Sequence, residues 1–169
     1  LETGDRCGVG VFDSKVRGYL APVAGVTSHR ILVERLYNVQ PAWVETNFAP
    51  MFATLQSRQR TRALLVILSD IMEAETTERY RSALVSLNQR HEVLFAALRT
   101  PLLKEIALGP VEVAEDAARK TFALRLMRER EQTLHVLRRS GIFVLDVEPQ
   151  ELTVPLLNSF IELRQRTVA

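Results

Sequence analysis

The stretch Ala63-Leu64-Leu65-Val66-Ile67-Leu68-Ser69-Asp70 decides the fold class of this chain. Its six consecutive apolar residues show no polar alternation, so the strand they form is expected to be covered on both faces, as interior strands of a parallel sheet are. Downstream, Tyr80, Ala83, Leu84 and Leu87 recur at helical spacing within 77–90, and a second apolar strand runs from Val93 to Leu98. A short helix follows Pro101. A long one spans about Glu115 to Arg139, with Gly141 as its C-cap, and leads into a last strand at Ile142 to Leu145. Pro155 opens a terminal helix carrying Leu157, Phe160 and Ile161.

Upstream of the deciding stretch, Arg6 to Phe12 and Val16 to Leu20 read as two short strands separated by the turn Asp13-Ser14-Lys15. Strands this close in sequence must pair antiparallel. After Pro22 and Gly25, Ser28 is the expected N-cap of a helix through Tyr37, with Ile31, Leu32 and Leu36 inward. The segment Asn38 to Glu45 reads as a loop. A helix then starts at Asn47, where Phe48, Met51, Phe52 and Leu55 form one apolar stripe and Pro50 falls in the first turn, where a missing N–H costs nothing. Strands alternating with helices predict an α/β chain: a doubly wound, mainly parallel sheet with an amino-terminal antiparallel hairpin.

Composition agrees with one globular domain over residues 1–169. Of 169 residues, 47% are hydrophobic and 25% charged, which excludes disordered, collagen-like and rod-like chains. Lys plus Arg is 22 against 20 Asp plus Glu, a net charge of +2, so charge singles out no polyanionic partner. The densest basic stretch, Arg125 to Arg139, is interleaved with Glu129 and Glu131 and reads as a solvated helix face, not a nucleic-acid site. Cys7 alone cannot form an internal disulfide. No apolar run approaches the ~18 residues of a membrane span, and the first six residues do not form a signal peptide.

Chemistry in an open parallel sheet gathers at the carboxyl ends of its strands. Ser69-Asp70 stands at such an end, where a carboxylate can hold a hard cation, accept a phosphoryl group or cap the next helix. Thr46, flanked by Glu45 and Asn47, adds a hydroxyl at a helix start. Together a threonine and an aspartate suit Mg²⁺, which takes oxygen ligands and keeps several waters; the plainer alternative is that Thr46 or Asn47 caps its helix. Trp43 is either a contact aromatic at the rim of that site or a core anchor for its loop. Cys7 reads as a small buried apolar residue, and His29, His91 and His135 show no ligand spacing. Arg130 falls on the apolar stripe made by Met127, Leu134 and Leu137. A snorkelling side chain is the preferred account of it, and a buried pair with a carboxylate the sharper one.

The order of these elements resembles a von Willebrand factor type A domain, and more closely the bacterial family known as domain of unknown function 58. The resemblance is carried by Gly4-Asp5-Arg6-Cys7-Gly8-Val9-Gly10-Val11-Phe12-Asp13 with Val16, by Glu45-Thr46-Asn47-Phe48, by Leu65-Val66-Ile67-Leu68-Ser69-Asp70, and by Leu137-Arg138-Arg139-Ser140-Gly141-Ile142. It implies a metal-ion-dependent adhesion site assembled from an Asp-x-Ser-x-Ser motif, a threonine and an aspartate. Thr46 and Asp70 match the last two as Mg²⁺ ligands, with Trp43, Glu45, Asn47 and Ser69 as the partner-binding rim. The first motif has no counterpart in the sequence, and Ile71 stands where many such domains have glycine. In the usual strand order, 3-2-1-4-5-6, the absent first strand is central, so the resemblance implies an amino-terminally truncated domain, with Leu1 marking the cut.

The same resemblance implies a non-enzymatic protein-interaction module, a MoxR-type AAA+ ATPase as partner, and membrane spans upstream of this chain. The location it implies is the cytoplasmic side of the bacterial inner membrane. The alternative is an α/β hydrolytic or phosphotransfer enzyme using Asp70 as nucleophile or metal ligand.

Overall fold

The computed structural model describes residues 5–25, 27–40, 42–70 and 74–168. Leu1, Gly4 and Ile71, and the side chain of Ser28, lie outside that description. The chain is mixed α/β and divides into two compact units, Leu1–Thr61 and Arg62–Ala169.

The first unit is built on an antiparallel hairpin of β1 (Arg6–Phe12) and β2 (Val16–Ala24), followed by helices α1 (Thr27–Tyr37) and α2 (Phe48–Arg58). β1 has the bounds its sequence pattern predicts. β2 runs four residues further than expected, straight through Pro22. The ladder explains why. Cys7 pairs with Val23 and Val9 with Leu20, so the register shifts opposite Gly8, and Pro22 sits at this irregularity, where no ladder bond requires its missing N–H. Gly8 is needed there for space, because a Cβ on it would lie 2.6 Å from the Leu20 carbonyl oxygen and 3.0 Å from the Pro22 nitrogen.

The turn between the strands is closed by Asp13. Its N–H donates to the Lys15 carbonyl at 3.0 Å and its carboxylate accepts the Lys15 N–H at 3.1 Å. Arg17 also donates to this carboxylate, which holds the Asp13 acid below its ordinary value. The apolar stripe of α2 packs as its spacing predicts: Phe48, Met51 and Phe52 are buried, and Phe48 meets Phe12 edge to face with ring centroids 5.2 Å apart. In α1, Ile31 and Leu32 are half-buried, but Leu36 is exposed, against expectation.

The second unit is a three-stranded parallel sheet in the order β3-β4-β5, formed by β3 (Leu64–Ser69), β4 (Glu92–Leu98) and β5 (Phe143–Val147). Helix α3 (Ala74–Arg90) joins β3 to β4. Helices α4 (Pro101–Leu108) and α5 (Ala114–Arg139) join β4 to β5, and α6 (Thr153–Val168) follows after a short 3₁₀ turn. The described strands therefore form two sheets rather than one continuous doubly wound sheet.

Within the parallel sheet the interior strand is β4. Val93, Leu94, Phe95, Ala96 and Ala97 are wholly buried, as a strand covered on both faces requires. The expectation that Leu64 to Leu68 is interior is corrected. Among the described residues β3 pairs only with β4, Ile67 is buried, and Val66 and Leu68 on the opposite face are 41% and 52% exposed.

Tyr80, Leu84 and Leu87 bring the inner face of α3 into the core. Asn88 then ties three segments together: its Oδ1 accepts the Val93 N–H and its Nδ2 donates to the Gly141 carbonyl, both at 3.0 Å. α5 ends in a Schellman motif. Gly141 takes a φ of +79°, its N–H donates to Arg138 O, the Ile142 N–H donates to Leu137 O, and Ile142 and Leu137 are both buried. The cap residue itself is Ser140, one position before the predicted glycine.

At the other end of α5 the Asp116 carboxylate accepts the N–H groups of Glu112 and Val113, fixing the first turn. Met127 of the predicted α5 stripe is exposed, whereas Leu134 and Leu137 are buried. In α6, Ser159 and Leu163 are buried, Leu156 and Phe160 half-buried, and Leu157 and Ile161 exposed.

Candidate functional site

In the first unit the candidate residues cluster in the loop before α2 and at its start. Asn47 is the N-cap of α2, its Oδ1 accepting the Ala49 N–H at 3.1 Å. It also reaches back to the hairpin, where its own N–H donates to the Asp13 carbonyl at 2.9 Å. The Asp13 turn thus fixes the start of α2 and, one residue earlier, the position of Thr46. Thr46, Glu45 and Trp43 are all exposed. Trp43 is no core anchor, since its side chain is fully open to solvent. Of the two residues weighed as the cap, Asn47 takes that role and leaves the Thr46 hydroxyl without a described partner.

In the second unit Asp70 follows the last residue of β3 and is exposed, while Ser69 is half-buried and pairs with Ala97 across the ladder. The Asp70 carboxylate makes no hydrogen bond or ion pair with another described residue. In donor chemistry a threonine hydroxyl and an aspartate carboxylate are each hard oxygen ligands of the kind Mg²⁺ accepts. Among the described residues no three His, Cys, Asp or Glu side chains come together as a metal cage.

The carboxyl ends of β4 and β5 carry a charged cluster that the sequence reading only half anticipated. Arg130, on α5, is 7% exposed and donates from a terminal guanidinium nitrogen to Asp146 Oδ1 on β5 at 2.8 Å. The sharper of the two accounts of Arg130, a buried pair, therefore replaces snorkelling. Asp146 also faces Arg99 at 3.8 Å, and Arg99 reaches Glu151 at 3.9 Å. Asp146 lies one residue beyond the last strand that the sequence pattern predicts, which ends at Leu145, whereas β5 continues to Val147. The signal was available: one acid inside the apolar run Phe143-Val144-Leu145-Asp146-Val147, matched to one arginine on an apolar helix stripe.

His91 is a further buried polar group, 1% exposed at the start of β4, with neither ring nitrogen hydrogen-bonded among the described residues. Burial, reinforced by the neighbouring Arg90 charge, pushes its pKa below the ordinary histidine value.

No helix among the described residues is long and apolar enough to cross a membrane. The family described as "Protein of unknown function DUF58" matches residues 1–139, which include both Thr46 and Asp70. No curated protein and no solved structure matches the chain.

Proposed function

Because the chain belongs to the family of proteins of unknown function DUF58, we propose that it is the carboxyl-terminal part of a von Willebrand factor type A-like domain acting as a non-enzymatic protein-interaction module. The observation that carries this reading is the exposed carboxylate of Asp70, unpaired among the described residues, at the carboxyl end of β3, whose apolar run Leu64–Leu68 pairs among those residues on one edge only and leaves Val66 and Leu68 exposed. A parallel strand of this composition belongs inside a sheet. The neighbour of β3 in this reading is the first strand of such a domain, whose Asp-x-Ser-x-Ser motif has no counterpart in this sequence, so Thr46 and Asp70 form a partial site.

In this reading Thr46 and Asp70 contribute oxygen ligands to Mg²⁺. The bound cation supplies an open coordination position for a carboxylate of the partner, and Trp43, Glu45, Asn47 and Ser69 form the surrounding rim. The partner is a MoxR-type AAA+ ATPase, met at the cytoplasmic side of the bacterial inner membrane, to which upstream spans anchor the whole protein. Binding of the purified ATPase to the full-length protein, measured with Mg²⁺, with chelator and with the Asp70→Ala variant, tests the proposal. Affinity should fall at least tenfold with chelator and with the variant. Equal affinity in all three conditions would overturn it.

A further inference from the structure

We draw no further inference here: the strongest candidate, the exposed apolar patch of Val33, Leu36, Tyr37, Trp43 and Val44 on α1 and the loop after it, carries nothing, because nothing in the structure shows what covers it and its neighbouring charges, Arg30 and Arg35 against Glu34 and Glu45, favour no partner chemistry.

Discussion

Removing the acid from the Arg130–Asp146 pair should be expensive in a way that removing a surface partner is not. The Arg130 side chain is 9% exposed and Asp146 is 32% exposed, at a separation of 2.8 Å. Leaving a fully buried charge without its partner costs about 3–5 kcal/mol, whereas exposed pairs contribute ~0–1 kcal/mol. Asp146 is a third open to water and Arg130 keeps a further interaction when that acid is removed, so the Asp146→Ala variant should lose about 1–2 kcal/mol, roughly a five- to thirtyfold change in the unfolding equilibrium. Arg119 supplies the control, because its pair with Glu115 has the same short spacing of 2.7 Å but both side chains are mostly exposed.

Urea unfolding followed by circular dichroism would measure Asp146→Ala, Arg130→Met and the double variant, with Arg119→Ala alongside. The Met side chain keeps an apolar stem in place of the arginine stem, so the double variant should lose less than the two single losses added together, with a coupling of about 1 kcal/mol or more. High salt should leave that coupling nearly intact, because a buried pair is poorly screened. A cost for Asp146→Ala no larger than for Arg119→Ala, or strictly additive single variants, would refute the buried-pair reasoning.

Two other perturbations probe the two units separately. Gly8→Ala places a Cβ against backbone atoms of β2 that cannot move aside cheaply, whereas Gly18→Ala meets nothing within 4 Å; thermal unfolding should show a loss of about 1–3 kcal/mol for the first and little change for the second, and equal effects would contradict the register shift at Gly8. His91 titrates below its ordinary value when folded, so the unfolded chain binds more protons below about pH 6.5. The stability His91 contributes is therefore complete above that pH and declines as pH falls toward the folded-state value, at up to about 1.4 kcal/mol per pH unit. Stability measured from pH 7 to pH 5 should show a shallower decline in His91→Leu than in the parent protein, and parallel curves would count against a buried neutral imidazole.

Much of the fold can be read locally because period and turn chemistry are local properties. The Phe48/Met51/Phe52 stripe, the Asp13 turn and the buried face of α3 all follow from spacing within one element. The departures occur where the deciding partner is distant or where two patterns overlap. Six apolar residues look the same in an edge strand and an interior one, and only the ladder shows that, among the described residues, β4 and not β3 has a neighbour on each side. Pro22 ends a strand by the usual rule unless it sits in a bulge, which a glycine fourteen positions earlier on the facing strand makes possible here. In α6 two interleaved stripes, Val154/Leu157/Ile161 and Leu156/Phe160/Leu163, have equal helical spacing, and packing selects the second. The positions of Asp70 at a strand end and Thr46 just before a helix were legible for the same local reasons. Arg130 is legible as a charge on an apolar stripe, but its partner Asp146 is harder to assign, because the contact joins residues on two different elements.

The central claim is that Asp70 and Thr46 serve a divalent cation whose open position receives a partner. Calorimetric Mg²⁺ titration of the full-length protein against its Asp70→Ala and Thr46→Ala variants, with circular dichroism confirming that each variant is folded, tests it most directly. The account predicts saturable Mg²⁺ binding in the parent protein, loss of that binding in Asp70→Ala and a weakened site in Thr46→Ala. A metal response in folded Asp70→Ala equal to that of the parent, or no saturable response in the parent, would contradict it.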